Sequence, residues 1–114
     1  MKQKNRETMP TSKIVQEFRL RIEIILAGNL QNVYWFGSTS RTQAHAESDI
    51  DLLVETKLPV TVSQRDKIAD VAIDLCSETG FVLDVHYYTS KEISTPPYSY
   101  SPFIETIIRE GVLS

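Results

Sequence analysis

The sequence predicts an α/β domain of the mixed α+β kind, in which helices pack on a small mixed β-sheet. Two segments, over residues 14–26 and 68–75, carry apolar residues at three- and four-residue spacing, which is typical of amphipathic helices. Short runs rich in β-branched and aromatic residues predict strands. The order along the chain is α-β-β-α-β-α, which favours helices packed on a mixed sheet. At 114 residues the chain suits one domain, expected over 11–114 after a disordered N-terminus at 1–10.

The first two helices have recognisable ends. Thr11 or Ser12 can cap the first helix, and the pair Gly28-Asn29 fits its C-terminal end because both residues tolerate a left-handed backbone. The second helix is predicted over residues 62–79, and a glycine at position 80 is its natural stop.

Three strands and a final helix complete the prediction. The strands are expected over residues 33–36, 50–54 and 81–88. Residues 89–101 are expected to form a loop. Ser101-Pro102 then starts the last helix, since a proline at the first helical position loses no hydrogen bond, and Gly111 ends it.

Composition excludes several classes of protein. The net charge of −3 and pI of about 5.3 disfavour non-specific binding to nucleic acid, because no basic excess exists to neutralise phosphates. The single cysteine, Cys76, excludes an intrachain disulfide and a multi-cysteine zinc site, and it suits a reducing compartment. The N-terminus lacks the features of a signal peptide, and no apolar run approaches the length of a membrane span. We therefore expect a cytoplasmic protein without a membrane partner.

Two aspartates begin the second predicted strand. Asp49 and Asp51 are two residues apart, so their side chains share one face of the strand. Neighbouring carboxylates repel each other unless a cation lies between them, and Mg²⁺ prefers such oxygen ligands. Two such ions, about 3.5–4 Å apart, can stabilise both oxygens of a phosphoryl displacement. The alternative is that Asp49 is a solvated turn residue and Asp51 only lies at the sheet edge.

A possible phosphate site precedes these aspartates. Gly37 at the end of a strand allows a ligand to approach the backbone closely, and Ser38 offers a hydroxyl and an N–H group. Arg41 can reach the same phosphate with several donors. Taken singly, Gly37-Ser38 can be a plain turn and Arg41 a surface charge. Together with the aspartates, these residues match what a metal-dependent triphosphate site requires.

Gly37-Ser38, ten intervening residues and Asp49-Ile50-Asp51 resemble the signature of the DNA polymerase beta-like nucleotidyltransferase superfamily. The short chain most resembles the minimal nucleotidyltransferase branch of antitoxin type, and the resemblance covers about residues 33–113. It implies the nucleotidyltransferase fold and transfer of AMP from ATP to an acceptor hydroxyl. It also implies a separate helical HEPN-type partner protein, with a tyrosine of that partner as acceptor.

The resemblance also implies roles for particular residues. Gly37 and Ser38 would hold the triphosphate and Arg41 would contact a phosphate, while Asp49 and Asp51 would bind two Mg²⁺ ions.

A third carboxylate of the family matches Asp84. This residue interrupts an apolar strand, where an unpaired carboxylate is costly. The alternative for Asp84 is an edge residue facing solvent. Asp70 and Asp74 compete for the role, but their spacing favours the solvated face of the second helix.

Thr42 departs from the family pattern, which usually has glycine after the arginine. A positive φ at this position would strain a threonine by about 1–3 kcal/mol. An alternative function is therefore a catalytically weak nucleotide-binding module that acts by docking on a partner. Enzymes that tail polynucleotides or modify antibiotics share the same chemistry and rank lower, because each normally needs a further domain for its acceptor.

Other side chains leave two interpretations open. His86 follows Asp84 at two-residue spacing and can touch a phosphate or help remove a proton, but a half-buried strand histidine is the simpler interpretation. Tyr98 and Tyr100 can stack on a base or a partner, or they are exposed turn aromatics. Cys76 is expected at the edge of the core.

Overall fold

A four-stranded mixed sheet lies between two helical layers in the computed structural model, which describes residues 10–36 and 49–113. The helices are α1 (Thr11–Leu26), α2 (Val62–Thr79), α3 (Ser90–Ser94) and α4 (Pro102–Glu110). The strands are β1 (Leu30–Phe36), β2 (Ile50–Thr56), β3 (Leu83–Thr89) and β4 (Val112–Leu113). Single 3-10 turns cover Ala27–Asn29 and Tyr98–Tyr100. The expected disorder at 1–10 falls on residues outside this range, except for position 10.

The strand order is β3-β2-β1-β4. Strand β1 pairs antiparallel with both β2 and β4, whereas β2 and β3 run parallel and are connected through α2. The predicted mixed sheet with packed helices is confirmed. Because β3 pairs only with β2, it lies at one edge of the sheet.

The two faces of the sheet bury different clusters. One face packs against α1 and α2, and this larger cluster has buried residues Ile14, Val15, Phe18, Ile22, Leu26, Val33, Trp35, Ile50, Leu52, Val54, Ile68, Leu75 and Leu83. We call this side of the sheet the apolar face. The other face packs against α4, and its buried residues are Leu53, Ile104 and Ile107. We call this side the polar face, because its strand residues include Asp51, Asp84, His86 and Glu55.

The ends of α1 differ from the prediction. Neither Thr11 nor Ser12 caps the helix: Pro10 is the capping residue, and it makes no side-chain hydrogen bond there. At the C-terminal end, Ala27 has a positive φ of 52°, whereas this conformation was expected at the pair Gly28-Asn29. The helix ends at Leu26, the last α1 residue buried in the core, so the change of backbone direction occurs immediately after it.

The ends of α2 follow the prediction. The Thr61 hydroxyl accepts a hydrogen bond from the Gln64 backbone N–H, and the Gln64 side chain accepts one from the Thr61 N–H, which completes a capping box. Gly80 ends the helix with a φ of 86°, a conformation that costs glycine little.

The segment predicted as a loop over residues 89–101 contains α3 and a 3-10 turn. The signal was present as Thr89-x-x-Glu92, a second capping box in which each residue's side chain accepts a hydrogen bond from the other's backbone N–H. Ser101 caps α4 as predicted, by accepting a hydrogen bond from the Phe103 N–H.

Strand β4 was not predicted from the sequence. Helix α4 ends at Gly111 as predicted, and a Cβ atom there would lie 2.5 Å from the carbonyl oxygen of Ile107. This close approach allows Val112 and Leu113 to pair with Trp35 and Tyr34 of β1. Two residues are too few to show a strand pattern, so only their pairing reveals the strand.

Candidate active site

Two of the predicted carboxylates lie side by side. Asp51 on β2 and Asp84 on β3 are direct partners in the parallel register, and both belong to the polar face. Asp49 precedes β2 and is exposed. The structure therefore places together two carboxylates that are 33 positions apart in sequence, with the third two residues from one of them.

Asp84 faces solvent, although it interrupts an apolar strand. Its strand is at the sheet edge and its side chain is 54% exposed, so water solvates the carboxylate. This is the location that the alternative interpretation required. The pairing with Asp51 is the additional feature, and it makes Asp84 more than an isolated edge residue.

Electrostatic repulsion acts on the carboxyl of Asp51. Partial burial raises the pKa of its carboxyl, and the negative charges of Asp84 and Asp49 raise that pKa further. The nearby His86 acts in the opposite direction and lowers it. A divalent cation beside Asp51 would relieve the same repulsion.

The donor chemistry suits Mg²⁺, although the carboxylates do not form a ready-made cluster. Over residues 10–36 and 49–113, no three His, Cys, Asp or Glu side chains converge closely enough to hold a metal ion. Mg²⁺ commonly binds through one or two carboxylates together with substrate phosphates, so the pair Asp51 and Asp84 satisfies that need. Asp49, exposed at the start of β2, is available as a third oxygen donor.

The predicted phosphate residues Gly37, Ser38 and Arg41 lie outside the described residues, as does Thr42. Their flanks are described. Strand β1 ends at Phe36, which pairs with Asp51 in the antiparallel register. The chain portion that contains Gly37, Ser38 and Arg41 thus begins directly after a residue that pairs with a carboxylate of the site.

An aromatic cluster that the sequence analysis missed lies beside the carboxylates. The rings of Phe36 and Phe103 are 5.7 Å apart, and the His86 ring lies 6.0 Å from Phe36 and 5.4 Å from Phe103. The three rings come from β1, β3 and α4. No spacing in the sequence relates residues so far apart, so this contact required the tertiary structure.

A buried carboxylate lies farther along the same face. Glu55 is 9% exposed, and its Oε1 accepts a hydrogen bond of 3.0 Å from the Asn32 side chain. Tyr34 also hydrogen-bonds to Glu55, and burial together with this carboxylate raises the pKa of the Tyr34 phenol. These partners satisfy a charge that is otherwise costly to bury.

Other predicted candidates lie elsewhere. Asp70 and Asp74 are exposed on α2, whose packing side covers the apolar face, so they do not join Asp51. Cys76 is half-buried on the same helix, as expected. Tyr98 and Tyr100 are exposed, and the ring of Tyr98 contacts Tyr88 edge-on at 5.8 Å.

A small cleft lies at the opposite ends of β2 and β3. It is lined by Thr56, Val60, Arg65, Tyr87, Thr89 and Glu92, and the Arg65 guanidinium lies 4.3 Å from the centre of the Tyr87 ring. The carboxylates Asp51 and Asp84 are at the starts of these strands, so the cleft is separate from the candidate site.

Comparison with known families identifies the class of protein that has this fold and these paired carboxylates. The model of the nucleotidyltransferase domain family matches residues 11–112. This match covers most of the chain, and the protein belongs to that family.

Individual relatives agree with this assignment. Over 64 residues, the chain is 36% identical to "Putative protein adenylyltransferase MJ0141" of Methanocaldococcus jannaschii. That alignment covers 56% of this chain and 65% of the relative, slightly less than two thirds of its length.

Two solved structures share the fold. One, "putative minimal nucleotidyltransferase", is 26% identical with a TM-score of 0.51, and the match covers 85% of this chain and 92% of that one. The other is a mutant toxin–antitoxin complex, MntA–HpeT, at 19% identity and a TM-score of 0.57, over 86% of this chain and 70% of that one. The predicted fold and family resemblance are confirmed.

The lengths and hydropathies of the helices bear on membrane spanning. Within the described ranges, none is long and apolar enough to cross a bilayer.

Proposed function

We propose that this chain transfers AMP from ATP to an acceptor hydroxyl and releases pyrophosphate. The observation that carries the proposal is the register of β2 and β3, which pairs Asp51 with Asp84 on one face of the sheet. The raised pKa of Asp51 supports it, because a partly buried carboxylate beside two other negative charges favours a bound cation. Membership of the nucleotidyltransferase family supports the class of reaction.

Each proposed residue has a defined part in the reaction. Asp49, Asp51 and Asp84 would hold two Mg²⁺ ions, which would stabilise the charge that develops on the phosphate oxygens. The acceptor oxygen forms a bond to the α-phosphorus while the bond from that phosphorus to the pyrophosphate oxygen breaks. The hydroxyl proton passes to solvent, to which the site is open beside Asp84, where more than half of the side chain is exposed. Gly37, Ser38 and Arg41 bind the triphosphate.

We further propose that the acceptor belongs to a separate protein of the helical HEPN type, with a tyrosine as the modified residue. The toxin–antitoxin neighbour MntA–HpeT supports a protein partner. So does the surface of α1, where Leu20 and Ile24 are one helical turn apart and are 59% and 84% exposed.

Intact-protein mass spectrometry tests the activity. The chain is incubated with ATP and Mg²⁺, with and without the protein that co-purifies with it. A gain of one or more AMP units on either protein is expected. Asp51→Asn should reduce that gain below detection, whereas Asp70→Asn, a matched substitution in the opposite helical layer, should leave it unchanged.

The second candidate function is a binding module that acts by docking on its partner. The exposed apolar side chains of α1 favour it. A stable complex with the partner, no AMP gain with any nucleoside triphosphate, and an unchanged complex for Asp51→Asn would overturn the transferase proposal and establish this one.

A further inference from the structure

The histidine on β3 is close to the exposed carboxylate of the candidate site. His86 and Asp84 are two residues apart on one strand, so both side chains project from the polar face. The Nε2 atom of His86 lies 3.5 Å from Oδ2 of Asp84, and the two side chains are 35% and 54% exposed. An exposed aspartate on an edge strand has considerable rotamer freedom, so a neighbour that restricts it changes what the site can do.

The histidine ring itself is held by packing. Phe36 lies 6.0 Å away at an interplanar angle of 46°, and Phe103 lies 5.4 Å away at 65°. Because the two phenylalanines also contact each other edge-on, the three rings support one another. Phe36 belongs to β1 and Phe103 to α4, so His86 is held from two separate elements. The packing therefore fixes the ring that faces the Asp84 carboxylate through Nε2.

We propose that His86 is a positioning residue that directs a proton on Nε2 toward Oδ2 of Asp84 and thereby holds this carboxylate beside Asp51. Both the neutral tautomer protonated at Nε2 and the imidazolium carry that proton, so the role does not depend on a change of charge. The inference rests on the proposed function, because it assumes that Asp84 and Asp51 act together on a cation and an acceptor. Partners of metal-binding groups commonly have this orienting role.

Two substitutions distinguish the effect of the His86 N–H group from the effect of its ring packing. His86→Phe keeps an aromatic ring between Phe36 and Phe103 but removes the donor. His86→Gln loses the ring but restores an N–H group at a similar reach. Mn²⁺ binding to the full chain, measured without nucleotide from the electron paramagnetic resonance signal of the free ion, reports on the carboxylates independently of transfer. The kcat and KM for ATP are measured on the same proteins.

We expect His86→Phe to weaken Mn²⁺ binding and to lower kcat, each by about 10- to 100-fold, with little change in KM for ATP. His86→Gln should recover most of both losses. Tyr88→Phe is the matched control, since it removes a polar group from the same strand and face two residues farther on, and it should behave like the wild-type chain.

Three results would overturn the inference. The first is that His86→Phe binds Mn²⁺ as tightly as the wild-type chain does. The second is that His86→Phe and His86→Gln are equally impaired, which would indicate that only the packing of the ring matters. The third is that the wild-type chain does not bind Mn²⁺ at millimolar concentrations. If the wild-type chain binds Mn²⁺ but transfers no AMP, the proposed function fails, and the Mn²⁺ affinities of the variants still decide the role of His86.

Discussion

The two faces of the sheet use alternate residues of the same strands for different purposes. On β2, Leu52 and Val54 enter the apolar face, whereas Asp51 and Glu55 belong to the polar face. The apolar face is covered by two long helices and contributes most of the buried hydrophobic residues. Among the described residues, the cluster on the polar face buries three apolar side chains, and this face carries the carboxylates.

This difference shows how a small domain combines stability with a reactive site. A group of carboxylates is unfavourable for folding, because each repels its neighbours and loses solvation when it is partly buried. The cost is tolerated where the opposite face already supplies most of the hydrophobic stabilisation. Substitutions on the two faces should therefore have different consequences for stability and activity.

The largest effect is expected for two neighbouring leucines that point to opposite faces. Leu52 and Leu53 are both 0% exposed. Replacing either with alanine should lower the free energy of unfolding by about 2–5 kcal/mol, as measured by urea denaturation. The loss should be greater for Leu52, which belongs to the larger cluster.

Leu52→Ala and Leu53→Ala should also differ in activity. Leu53 pairs with His86 and packs against α4, so Leu53→Ala should reduce AMP transfer per folded molecule. Leu52→Ala should retain it at temperatures where the protein remains folded. Equal activity in the two variants would contradict the functional division between the faces.

A smaller effect is expected at the buried carboxylate of the polar face. Tyr34→Phe removes a hydrogen bond to Glu55, which would then rely on Asn32. Because Glu55 is a buried carboxyl group that would lose a hydrogen-bond partner, we expect a loss of about 1–3 kcal/mol in the free energy of unfolding. Tyr98→Phe is the control: this exposed tyrosine contacts Tyr88 through its ring, so thermal unfolding should be unchanged. A similar stability for both variants would show that Glu55 does not need Tyr34.

The smallest effect has the opposite sign. The pKa of Asp51 is higher in the folded chain than its ordinary value, so the folded state binds this proton more tightly than the unfolded state does. The stability that Asp51 contributes is present at low pH and is lost as the pH rises through its folded pKa. Asp51→Asn should therefore raise the melting temperature slightly at about pH 7.5, and the gain should vanish at about pH 4 or below, as Asp51 becomes protonated.

Calorimetry at both pH values measures this difference, with Asp70→Asn as the exposed control. A lower melting temperature for Asp51→Asn at neutral pH would mean that other interactions at Asp51 outweigh the repulsion. Asp51→Asn is also the variant expected to lose AMP transfer. The experiment therefore compares the stability that Asp51 costs the fold with the activity that it provides.

The sequence predicted the elements of the fold better than the arrangement of the site. The aspartate pair and the preceding glycine-serine pair were recognisable from spacing, and the family match confirms the resemblance that they support. The sequence left open whether Asp84 faces solvent, because a strand's position within the sheet is not encoded in its own residues. The roles of the site residues remain predictions that the experiments above test.

By itself, the sequence determined the features that depend on neighbours a few positions away. The capping box at Thr61, the left-handed Gly80 and the start of α4 at Ser101 all arise from backbone groups within one helical turn. The tertiary structure alone decided which distant residues meet. The pairing of Asp51 with Asp84 and the packing of His86 between two phenylalanines depend on strand order and on where α4 lies, because these contacts join segments separated by many residues.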